Sequence, residues 1–74
     1  MRLIEAKSEV TGAVFKVLTR IGEQVLPEQE ILIIESMKME IPVLAEHGGV
    51  LHEILVKEGQ PVAEGQTVAL IEIR

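Results

Sequence analysis

Short runs of β-branched and aliphatic residues recur along the chain between clusters of turn residues, and no stretch keeps an apolar stripe at helical spacing. The pattern predicts strands near Arg2–Lys7, Gly12–Leu18, Gln24–Val25, Glu30–Ser36, Met39–Leu44, Gly49–Val56, Pro61–Val62 and Thr67–Ile73. An all-β fold follows. Arg20-Ile21-Gly22-Glu23 and Lys57-Glu58-Gly59-Gln60 read as turns whose glycines need positive φ. In Leu26-Pro27-Glu28-Gln29 and Ala63-Glu64-Gly65-Gln66, proline in one and glycine in the other serve the same reversal. Apolar residues spaced by three, Val14 to Val17 and Leu51 to Ile54, break strict alternation and predict a bulge or strong twist.

These paired observations come from an internal repeat. Ser8–Ser36 aligns with Ala45–Ile73 without a gap, at a shift of 37 residues. Eight positions are identical: Glu9/Glu46, Gly12/Gly49, Leu18/Leu55, Gly22/Gly59, Val25/Val62, Gln29/Gln66, Ile34/Ile71 and Glu35/Glu72. Two similar halves imply two supersecondary units related by a pseudo-two-fold axis. Neither half is large enough to bury a core alone, so the two pack together. Short strands, many turns and two-fold repetition predict a flattened barrel or two-sheet sandwich.

Composition narrows the function. The 74 residues read as a single domain, 1–74, with no room for both a catalytic core and a substrate pocket. At 47% hydrophobic the chain is not disordered. It has no cysteine, which excludes disulfides, zinc–cysteine sites and thiol catalysis. A net charge of −5 without a basic stripe argues against nucleic acid. The longest apolar run, Ile31–Ile34, is strand-sized, so no membrane span is expected. Charge interrupts the N-terminus at once, unlike a secretory signal, and a cytoplasmic location is the default.

One segment stands apart. Glu35-Ser36-Met37-Lys38-Met39-Glu40 runs from the end of the first repeat into the connector Met37–Leu44, which places Lys38 at the expected tip of a hairpin. A lysine in a turn is ordinarily a solvated charge. Two methionines beside it are not ordinary, because soluble proteins seldom place large apolar side chains on an exposed turn without a partner for them. Methionine is flexible and polarizable, suited to a surface that another protein grips. Lys38 reads as displayed. His47 and His52, five apart without cysteine, read as surface residues and not as a metal site. Glu35 and Glu40 bracket the turn, and Glu35 has a mate in Glu72, which favours a structural role for it.

The Met-Lys-Met motif between two Gly-x-hydrophobic…Gly-x-x-Val units resembles the biotinyl domains of biotin-dependent carboxylases, from about Glu9 to Ile73. The resemblance implies a barrel-sandwich hybrid of two four-stranded sheets, with the modified lysine on a tight hairpin and the chain ends far from it. It implies that Lys38 carries covalent biotin, that a biotin protein ligase recognises Met37 and Met39, and that the domain is not itself an enzyme. The carrier moves carboxyl groups between biotin carboxylase and carboxyltransferase centres. Glu35 and Glu40 then read as a solvated pair steering the ligase or opposing the lysine charge. As an isolated domain it is expected to be monomeric.

Departures from the family pattern leave Lys38 untouched. Many members have Ala where Ser36 stands and Met-Pro where Val10-Thr11 stands, and the repeats leave no room for the protruding thumb of some bacterial carriers. Two other readings compete. A lipoyl carrier on the same fold typically has Asp-Lys-Ala at the turn, which the methionines oppose. An unmodified structural adaptor leaves Met-Lys-Met without a purpose.

Overall fold

The computed structural model describes residues 2–73. Eight strands form in chain order: β1 (Arg2–Lys7), β2 (Gly12–Val17), β3 (Gln24–Val25), β4 (Glu30–Ser36), β5 (Met39–Leu44), β6 (Gly49–Ile54), β7 (Pro61–Val62) and β8 (Thr67–Ile73). They make two four-stranded sheets, ordered β1-β8-β6-β3 and β5-β4-β2-β7, with every neighbouring pair antiparallel. The 37-residue shift carries each strand onto its mate and one sheet order onto the other. It also relates β1 to β5, which share only Ile4/Ile41 in sequence. Each sheet takes two strands from each half. The halves are therefore woven together and do not pack as separate units.

The apolar spacing of three has a structural cause. Val14 pairs with Ile34 and Lys16 with Ile33, so Phe15 is an extra residue in β2; His52 is the extra residue at the same place in β6. Such bulges bend and twist the strand, and here they carry each sheet around the core. Ile31 in β4 and Val68 in β8 are likewise skipped in the pairing with the edge strands. Both are buried, as are Val14, Val25, Leu32, Ile34, Leu51, Val62 and Ile71.

The second and sixth strands end earlier than the apolar pattern predicts, at Val17 and Ile54 instead of Leu18 and Val56. Leu18 and Leu55 each donate one last backbone bond, to the carbonyls of Ile31 and Val68. These acceptors are the bulged residues, and the ladder stops there.

The four turns follow one plan. Each is closed by a backbone bond from its fourth residue to its first, at 3.0–3.1 Å. The fourth side chain then bonds back to the N–H of the first: Glu23 to Arg20, Gln29 to Leu26, Gln60 to Lys57 and Gln66 to Ala63. That second bond accounts for the Gln29/Gln66 identity. The third position is left-handed throughout, with φ of 92° at Gly22, 88° at Gly59, 85° at Gly65 and 68° at Glu28. Pro27 and Gly65 are thus not interchangeable. Proline presets the second position, and Glu28 adopts the strained third one.

This weave separates the chain ends from the hairpin. Arg2 pairs with Ile73, the symmetry counterpart of Met39 pairing with Ser36. β1 runs from that pair toward Lys7–Glu9, which share an open groove with Leu44–Glu46 at the far end of β5. Beyond the groove the chain continues to Thr11, beside Ser36. The hairpin and the Arg2–Ile73 pair therefore cap opposite ends of a body 36 Å long and about half as wide, at 18 × 17 Å.

Candidate functional site

The hairpin register follows from burial. Ile34 pairs with Ile41, Glu35 with Glu40 and Ser36 with Met39. Ile34 is fully buried, and a slip of one residue would turn Glu35 into the core. Two residues are left for the loop, Met37 and Lys38. Their φ values of 52° and 65° are both positive, as a type I′ connection between twisted strands requires. Asn-Gly is the usual choice there. A residue with a larger side chain is disfavoured in this conformation by about 1–2 kcal/mol. The loop thus holds two consecutive strained residues, and strain of this kind marks functional turns when the surroundings enforce it.

Lys38 is exposed at the tip. Met37 is 92% exposed and Met39 61%, so neither contributes much to the core. An amine presented in this way, beyond the body of the barrel, fits a group joined to it by an amide bond and swung between partners. Lys7, Lys16 and Lys57 are exposed as well, but they lie at a strand end, within β2 and at the first position of a turn. Only Lys38 stands in a two-residue loop between paired strands.

Glu35 and Glu40 are exposed and directly opposite each other beside the loop. Like charges in that relation disfavour the pairing. The equivalent pair at the other end is Leu3 and Glu72, with a single charge. The structural feature shared by Glu35 and Glu72 is their backbone carbonyl: a Cβ on Gly12 would overlap the Glu35 carbonyl, and one on Gly49 the Glu72 carbonyl. Those two glycines are needed for close approach, with the glutamate side chains left free. His47 and His52 are exposed, and no three metal-ligating side chains converge among the described residues.

Sequence reasoning passed over one set of contacts at this end. The Ser36 hydroxyl donates to the Thr11 carbonyl at 2.8 Å. Thr11 Oγ1 accepts from the N–H of Glu64 at 3.0 Å. The available signal was the set of positions where the repeats differ. Thr11, Ser36 and Glu64 align with Gly48, Ile73 and Pro27.

Comparison with known proteins agrees with the fold. A family model described as a biotin-requiring enzyme matches residues 5–71. The chain is 42% identical over 60 residues to the biotin/lipoyl attachment protein of Bacillus subtilis, covering 81% of this chain and 82% of that one. It is 38% identical to a probable dihydrolipoyllysine-residue succinyltransferase component of the Schizosaccharomyces pombe 2-oxoglutarate dehydrogenase complex, over 89% of this chain and 15% of that protein. The crystal structure of Kluyveromyces lactis urea carboxylase matches 97% of this chain with a TM-score of 0.93 and 35% identity, using 6% of its own length.

Proposed function

Because the chain belongs to the biotin/lipoyl attachment family, we propose that it is a biotin carboxyl carrier domain, a single unit over residues 1–74 biotinylated on Lys38. The observation that carries this reading is Met37-Lys38-Met39 at the tip of a strained two-residue loop, with both methionines exposed. Their exposure makes them available to a biotin protein ligase, for which they are the recognition elements. In the attachment step Lys38 Nζ gives up a proton and attacks the carbonyl of a ligase-bound biotinyl-adenylate. The C–N bond of an amide forms, and adenylate leaves with the electrons of the broken C–O bond.

The amide removes the lysine charge and lengthens the arm. Once bound, biotin supplies a ureido ring that takes up a carboxyl group at one centre and yields it at another. The residues of this chain have a different task. The woven sheets hold the hairpin still, the loop projects Nζ from the barrel, and tethering raises the local concentration of the group at each partner. Biotin carboxylase and carboxyltransferase domains or subunits of a cytoplasmic carboxylase are the partners this reading requires. The domain itself does no catalysis.

The similarity to a dihydrolipoyllysine-residue transferase component supports a second reading, lipoate on the same lysine. Intact mass after incubation with biotin protein ligase, biotin and ATP, and separately with lipoate ligase, lipoate and ATP, distinguishes them. One biotin adduct, mapped to Lys38 by peptide fragmentation, is expected. Adduct formation with lipoate alone, or biotin on Lys7, Lys16 or Lys57, overturns the assignment.

A further inference from the structure

We infer that Ser36 is a positioning residue for the reaction at Lys38, holding the hairpin in one orientation through its bond to the Thr11 carbonyl. The functional side of this inference rests on the carrier reading. The structural side rests on geometry alone.

Two consecutive left-handed residues that are neither glycine, asparagine nor aspartate persist only where their surroundings over-determine them. The ladder of the hairpin is poorly suited to do so. β5 is an edge strand, held by a partner on one side only. The second pair from the loop is Glu35 against Glu40, which repel. Met37, Lys38 and Met39 are exposed, so packing does not pin them. Ser36 lies two residues beyond the buried Ile34, on the same side of β4. From there its hydroxyl reaches a carbonyl 25 residues away in sequence.

That carbonyl belongs to a segment that is itself anchored. Thr11 Oγ1 binds the Glu64 N–H, and the Gly65 N–H binds the Ser8 carbonyl at 2.7 Å. The hairpin is therefore tied to the second half of the molecule through the segment Ser8–Thr11. The repeat supplies an internal control. At the other end Ser36, Thr11 and Glu64 are replaced by Ile73, Gly48 and Pro27, and proline has no N–H to satisfy. There a Cβ on Gly48 would lie 3.2 Å from Pro27 Cδ, so the two residues already pack closely. All three polar members are absent where there is no loop to hold.

A ligase must meet Nζ along a repeatable direction, and a hairpin that tilts presents the amine correctly for only part of the time. The test compares the intact chain with Ser36→Ala and Ser36→Thr, the second keeping the hydroxyl on a side chain that suits a strand. Loss of one hydrogen bond predicts amide exchange at Met39 and Ile41, the β5 amides that pair with Ser36 and Ile34, about 2- to 12-fold faster in Ser36→Ala. Exchange at Leu32 and Ile71 should stay unchanged. kcat/KM for biotin uptake should fall within a similar range, and both properties should return in Ser36→Thr. Unchanged hairpin exchange in Ser36→Ala overturns the inference. So does faster exchange throughout the barrel with a lower Tm, or faster hairpin exchange with normal biotin uptake. Wild-type protein that accepts no biotin removes the carrier reading separately, and the exchange comparison then still decides whether Ser36 holds the hairpin.

Discussion

At one end of the 36 Å axis Ser36 and Met39 face each other across a two-residue loop; at the other Arg2 and Ile73 face each other without one. The strands behind both ends share their ranges, bulges and buried positions. What differs close to the two tips can be named residue by residue. The hairpin end has a lysine between methionines, two opposed glutamates and a serine–threonine contact. The other end has Leu3 opposite Glu72, and Gly48 against Pro27. An internal repeat therefore separates two demands that are usually mixed. Positions alike in both halves answer to the fold, and positions that differ near Lys38 are the place to look for function.

The sharpest way to break this comparison is at Lys38. Lys38→Arg should abolish biotin incorporation completely, since guanidinium is not acylated under these conditions. The circular dichroism spectrum and urea midpoint should stay as they are, because the side chain is exposed. Retained streptavidin binding by the variant would remove the functional half of the contrast.

The shared positions should then behave as pairs. Ile34→Ala and Ile71→Ala should each destabilise the fold by about 2–4 kcal/mol in urea unfolding, because both side chains are fully or almost fully buried. Gly22→Val and Gly59→Val should each cost about 1–3 kcal/mol, through positive φ alone. Space is not the problem at either glycine, since an added Cβ meets nothing within 4 Å. Members of a pair that differed several-fold would show the two halves to be unequal in energy despite their matching strands.

A smaller and more pointed test exchanges the residues at which the turns differ. Glu28 and Gly65 occupy the same left-handed position. Glu28→Gly should stabilise the protein by about 0.5–1 kcal/mol, the relief of strain less the added freedom of the unfolded chain. Gly65→Glu should destabilise it by a similar amount. The smallest expected effect is at the acidic pair. Glu40→Gln should raise stability by roughly 0.2–1 kcal/mol at low salt, and the gain should shrink as salt screens the repulsion. A gain that ignored ionic strength would point away from charge.

Most of the fold was legible in the sequence because its determinants are local or repeated. Gly22 and Gly59 announced left-handed turns, and the three-residue spacing from Val14 to Val17 announced the bulge now seen at Phe15. The relation between β1 and β5 was not legible. Edge strands that share Ile4/Ile41 alone leave almost nothing for an alignment to find. The role of Glu28 was hidden for another reason, since a glutamate carries no sign of positive φ and the adjacent proline drew attention to the wrong position. The display of Lys38 between exposed methionines was readable from residue types. The Ser36–Thr11 contact was not, because it joins a side chain to a backbone carbonyl, and a carbonyl has no letter in the sequence.

The strand order also dictates when this protein becomes a protein. β8 lies between β1 and β6 in the middle of its sheet, and it is the last of the eight strands to leave the ribosome. Until Thr67–Ile73 has emerged, the first strand has no partner in its sheet and half of the core has no floor. Loop-closure entropy must be met before these distant pairings stabilise anything. The lysine hairpin, made before β6 and β8, therefore waits for β8 before its platform exists. A nascent chain stopped short of β8 should be open to protease and, on the carrier reading, a poor ligase substrate.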